Sequence, residues 1–154
     1  MQAPPDTLGN RVPSDTHQSE PYRSEQDLQS QITQLRQNAA REKRPERARV
    51  YKRALGDVFV TAMQTGDSLL EEKKFQDAIR DYDLATQAMP DSAWAWSQLA
   101  VARACAGNKK EALSSLRKAY ELSNDKLSFR KSLDTEPLLA PLRSAPELQS
   151  LPKE

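Results

Sequence analysis

At 154 residues, 37% hydrophobic and 29% charged, the chain can build one modest core, which excludes two independently packed domains. A net formal charge of +1 excludes a global field that would commit it to nucleic acid or membrane, and no run approaches the roughly 18 apolar residues of a membrane span. One cysteine, Cys105, excludes an intramolecular disulfide, and its apolar setting LAVARACAG reads as that of a buried small hydrophobe rather than a reactive thiol.

Residues 1–24 hold four prolines and no apolar period, the composition of a disordered Pro-rich tail. The only histidine, His17, lies in it, which argues against imidazole chemistry. No apolar h-region opens the chain. Met1 followed at once by QAPPD reads as a start placed on a trimmed mature protein, an expectation of export, with the compartment otherwise open.

From Glu25 the pattern turns helical, with Leu28, Ile32 and Leu35 on one narrow stripe that predicts a helix to about residue 43. Pro45 disfavours helical geometry at Arg44 and separates a second helix, 46–73, whose apolar face runs from Val50 to Leu70. Residues 25–58 thus form a helical extension. Its junction is strongly basic: residues 36–56 carry eight Lys and Arg against two acids, and residues 57–92 carry three against eight. The layout reads as intramolecular compensation across a solvated helix junction, ahead of contact with an acidic protein or membrane surface. Nucleic acid is the last reading, because only Tyr51 interleaves and no base-stacking series exists.

Residues 59–92 and 93–126 repeat each other. Shifted by 34, Gly66 falls on Ala100, Ala78 on Ala112, Tyr82 on Leu116 and Ala85 on Ala119. Small meets small and large meets large. Each copy reads as helix, short turn (EEKKF, then AGNKK) and helix, and such a period marks stacked helical hairpins.

Both copies resemble tetratricopeptide (TPR) repeats. The second carries Trp96, Leu99, Ala100, Ala112, Leu116 and Ala119 at the family's positions, and the first carries Gly66, Ala78, Tyr82, Ala85 and Pro90. Departures are Ala62, Thr65 and Asn124, where the family prefers a bulky residue, leucine and proline. Residues 127–154, with Leu133, Leu138, Leu139, Leu142, Leu148 and Leu151 broken by Pro137, Pro141 and Pro146, resemble the segment that follows the last repeat in bacterial members. The resemblance implies an all-α fold: a short α-solenoid of two TPR hairpins over 59–126, with capping elements at 25–58 and 127–154. It also implies a function without catalysis, the binding of a peptide or protein segment in a groove, with a homo-oligomerisation unit or an accessory domain of a larger complex as the alternative.

By the same resemblance Trp96 packs inward between helices and Trp94 turns toward the groove. Two positions along a helix are about 200° apart, so the two rings cannot both be core. The implied groove is lined by Val60, Met63, Gln64, Asp67, Leu70, Trp94, Ser97, Gln98 and Val101, with Ala104. Its occupant is an external segment or one of the chain's own termini. Met63, Asp67, Trp94 and Gln98 stand where some members place a cationic clamp for a peptide carboxylate. None is cationic, which disfavours that chemistry.

The residues offer no catalytic constellation, metal site or cofactor motif. Without histidine outside the tail, a serine or cysteine nucleophile has no imidazole base. Asp81 and Asp83 point to different faces of a helix, and Asp77 with Asp81 reads as a solvated acidic face. The four glycines form no phosphate-cradling loop.

Overall fold

The computed structural model describes residues 25–152, with Glu25 as backbone only. The expected disordered tail, His17 included, lies outside the described residues. These form α1 (Glu25–Arg41), α2 (Pro45–Glu71), α3 (Phe75–Ala88), α4 (Ala93–Cys105), α5 (Lys109–Leu122), α6 (Lys126–Thr135), a 3₁₀ helix (Pro137–Leu142) and α7 (Pro146–Gln149), with no strand among them. The fold is all-α.

Several boundaries have a local cause. Pro45 lacks an N–H that the first helical turn would leave unbonded, so it opens α2 after an extended Arg44. Ser92 caps α4 by accepting from the Ala95 N–H at 3.2 Å, and Asp125 caps α6 by accepting from the Ser128 N–H at 2.9 Å. In the C-terminal segment, Pro137 and Pro146 stand in the first turns of the 3₁₀ helix and α7.

The offset of 34 seen in the sequence recurs in the backbone. Helices α3 and α5 begin at 75 and 109 and end at 88 and 122, while α2 and α4 end at 71 and 105. The intervening turns share their closing bonds. The Lys74 and Asn108 N–H groups reach back to the carbonyls of Leu69 and Arg103 at 2.8 and 2.9 Å, and those of Lys73 and Gly107 to Leu70 and Ala104 at 3.0 and 3.1 Å. This is the paired closure of a Schellman end, which needs one left-handed residue. Gly107 supplies it at φ 83°, and Lys73 supplies it at φ 60° without being glycine.

Burial repeats too. Ala78, Tyr82 and Ala85 on α3, and Ala112, Leu116 and Ala119 on α5, are all fully inaccessible. Methyl-sized side chains at the crossings let the helices approach closely enough for the large residue between them to fill the gap. At Gly66 the approach is tighter still: a Cβ there would lie 2.7 Å from Tyr82 Cε1.

The α2–α3 and α4–α5 hairpins pack through α3 and α4, and α1 lies against α2 and α3. The core forms two clusters. One joins Ile32 of α1 to Leu55, Phe59 and Met63 of α2, Tyr82 of α3 and Leu99 of α4. The other joins Val101, Leu116 and Tyr120 to Phe129, Leu139, Leu142, Leu148 and Leu151 of the C-terminal segment. Trp96 and Leu70 touch both. The C-terminal segment is tied down by the Tyr120 hydroxyl, which donates to Pro152 O at 2.7 Å, and by Arg130, which donates to Leu151 O at 2.8 Å. None of the described helices is long and apolar enough to cross a membrane.

Candidate functional site

The residues expected to line one groove divide into three groups. Trp94 (56% exposed) and Val60 (50% exposed) are open, with Gln64 exposed and Ser97 half-buried. Trp94 does not hang free. Its ring stands edge-on to Phe59, with centroids 6.1 Å apart and planes at 69°, and Phe59 belongs to the core. A half-exposed indole is therefore braced from below by a buried ring, a geometry that favours aromatic pairs.

Asp67 and Gln98 form a second group, and their groups point at each other rather than outward. Asp67 Oδ1 accepts from the Tyr82 hydroxyl at 2.6 Å and from Gln98 Nε2 at 3.2 Å. One carboxylate thus links α2, α3 and α4. Burial first, and then the Asp67 carboxylate beside it, push the Tyr82 phenol far above its ordinary range, so it acts as a donor at any physiological pH. The acid expected to face a ligand is instead taken up inside the fold.

Met63 and Val101, at 2% and 4% exposure, correct the expectation that they line the groove. Met63 lies within the first core cluster. Val101 lies in the second, because the Pro137–Leu142 helix packs onto α4. Leu70 is half-buried against both clusters and Ala104 half-buried against the second. The C-terminal segment thus covers the α4 side of the expected surface, and Val60, Gln64, Trp94 and Ser97 remain accessible.

Trp96 is half-buried and lies between the two clusters; its indole N–H donates to Pro90 O at 2.9 Å. It ties α4 to the preceding turn as well as filling the junction. Cys105 is half-buried rather than fully enclosed, and burial, followed by Glu136, raises its thiol. Its reactivity is lowered accordingly.

The basic stretch keeps its cations in solvent throughout. Arg36, Arg41, Lys43, Arg44, Arg47, Arg49, Lys52 and Arg53 are all exposed. No ion pair joins them to the 57–92 segment among the described residues, where the pairs are Lys74–Glu72 at 2.6 Å and Arg80–Asp77 at 3.3 Å, both within the acidic segment. Asp77 and Asp81 are not equally solvated: Asp77 is exposed, whereas Asp81 is half-buried and its carboxyl is raised by desolvation and by Asp77. Among the described residues no group of three or more His, Cys, Asp or Glu side chains is arranged to hold a metal.

Sequence reasoning missed Phe59 as the brace under Trp94 and Tyr82 as the donor to Asp67. Both signals are long-range pairings that no spacing reveals. No family model, curated protein or solved structure matches the chain.

Proposed function

We propose that the chain is a non-enzymatic protein-interaction module built from two TPR-type hairpins, and that it holds a peptide or protein segment on the surface formed by Val60, Gln64, Trp94 and Ser97. One observation carries the reading: Trp94 is 56% exposed yet fixed against buried Phe59. A large aromatic held in one orientation offers contact area at little ordering cost, which is the character of an interface anchor. Val60 extends the apolar surface, and the Asp67–Gln98–Tyr82 bonds hold α2 and α4 at a fixed separation beneath it. The 34-residue offset of helices, turns and buried small residues supports the TPR assignment.

The test is photo-crosslinking in a native extract from position 60, with Val60 replaced by a benzophenone amino acid. The reading expects a discrete adduct with another protein that is lost when Trp94→Ala is added. An adduct indifferent to Trp94→Ala, or one with the mass of two copies of this chain, overturns it, the latter in favour of self-association.

A further inference from the structure

A second depression, whose lining does not include Trp94, is built from the helical extension. Arg36, Ala39 and Ala40 of α1, Lys52 and Leu55 of α2 and Ala88 at the end of α3 line one open depression. Its floor is apolar: Leu55 and Ala88 are buried core residues, Ala39 is half-buried and Ala40 exposed. Its rim carries two cations beside the uncharged Thr33 and Gln37. Arg36 and Lys52 are both exposed, and neither forms an ion pair among the described residues. Met89, 38% exposed, follows Ala88 directly.

We infer that this depression is a docking site for an acidic amphipathic segment of another protein, with an apolar side chain on Leu55 and Ala88 and carboxylates at Arg36 and Lys52. Charge complementarity names the occupant. Two cations facing solvent beside an apolar floor match a segment that alternates acid and hydrophobe along one helical face. The small residues Ala39 and Ala40 leave room for a partner backbone to come close.

Two other classes of anion fit less well. Phosphates of a nucleic acid would gain nothing from the floor, and Tyr51, the one aromatic in the basic stretch, is half-buried and lines a different depression with Asn38, Arg41 and Arg44. A lipid surface needs its cations on one plane. Arg47 and Lys52 are five residues apart on α2, about 140° around the helix at 3.6 residues per turn.

Trp94 does not line this depression, and the test keeps the two surfaces apart. The full chain would be used to select binders from a displayed library of helical peptides. The expected consensus combines Glu or Asp with Leu-like residues at helical spacing. Binding should weaken about tenfold or more on raising salt from about 0.1 M to 0.5 M, as the screening length shrinks. Arg36→Glu with Lys52→Glu should abolish it, while Trp94→Ala changes it less than about twofold. The charge-reversed variant, altered at two exposed positions, is checked for an unchanged helical circular dichroism spectrum and melting point.

Selected peptides without acids, binding that survives charge reversal, binding lost with Trp94→Ala, or the absence of any selected peptide each overturn the inference. So does a DNA duplex or a phosphatidylserine vesicle that binds the full chain and displaces the peptides.

Discussion

Gly66 and Tyr82 show how tightly single residues constrain this chain. The Tyr82 ring is fully buried, and its hydroxyl is held at 2.6 Å from Asp67, so it cannot swing away from a methyl placed at 66, 2.7 Å from its Cε1. Gly66→Ala should lower stability by about 1–3 kcal/mol, the usual range for overpacking, as read by urea denaturation. The two tryptophans should separate. Trp96→Ala removes a ring shared by both core clusters and its bond to Pro90 O, and should cost about 3–5 kcal/mol. Trp94→Ala loses mainly the edge contact with Phe59 and should cost about 1 kcal/mol. Asp81 gives a pH test. Its folded-state carboxyl is raised, so the folded chain binds that proton more tightly than the unfolded chain, and the site's contribution to stability falls as pH rises through the window between the two values. Asp81→Asn should therefore raise the melting point at pH 7, and the gain should shrink on acidification toward pH ~4, the ordinary aspartate range. A gain independent of pH would assign the effect to something other than the charge.

At the scale of elements, the hairpin turns carry the sharpest comparison. Lys73 and Gly107 occupy equivalent left-handed positions at φ 60° and 83°, with the same carbonyls bonded behind them. A non-glycine residue there costs roughly 1 kcal/mol through its Cβ. Lys73→Gly should then stabilise by up to about 1 kcal/mol and Gly107→Ala destabilise by a similar amount. Nothing lies within 4 Å of a Cβ at Gly107, so that loss would be conformational rather than steric. Thermal denaturation of the two variants side by side reads both signs. Much at this scale was legible in advance: Pro45 and the small residues at 78, 85, 112 and 119 set a helix start and the crossings by local rules. What covers a helix face was not legible. The family resemblance put Met63 and Val101 on a groove, but Met63 is enclosed by the first core cluster and Val101 by a segment that begins 36 residues later at Pro137. The pairing of Asp67 with Tyr82 and Gln98 is likewise long-range, so a residue type suited to a ligand could not be told from one used inside the fold.

Over the whole molecule, the structure divides into a closed end and an open one. The C-terminal segment encloses Val101, Leu116 and Tyr120, whereas among the described residues the end bearing α1, α2 and the start of α4 leaves Val60, Trp94 and eight exposed cations accessible. Ending the chain at residue 135 would strip Leu139, Leu142, Leu148 and Leu151 from the second cluster. Such a variant should lose cooperative unfolding and associate through the uncovered α4 and α5 faces, which analytical ultracentrifugation would detect. The account as a whole depends on Trp94 staying open in solution and not being covered by the chain's own ends or by a second copy. Tryptophan emission with acrylamide quenching in single-tryptophan variants measures this directly. With Trp96→Phe, the remaining Trp94 should emit at the longer wavelength and be readily quenched; with Trp94→Phe, the remaining Trp96 should emit to the blue and resist the quencher. Equal shielding of the two rings would contradict the account.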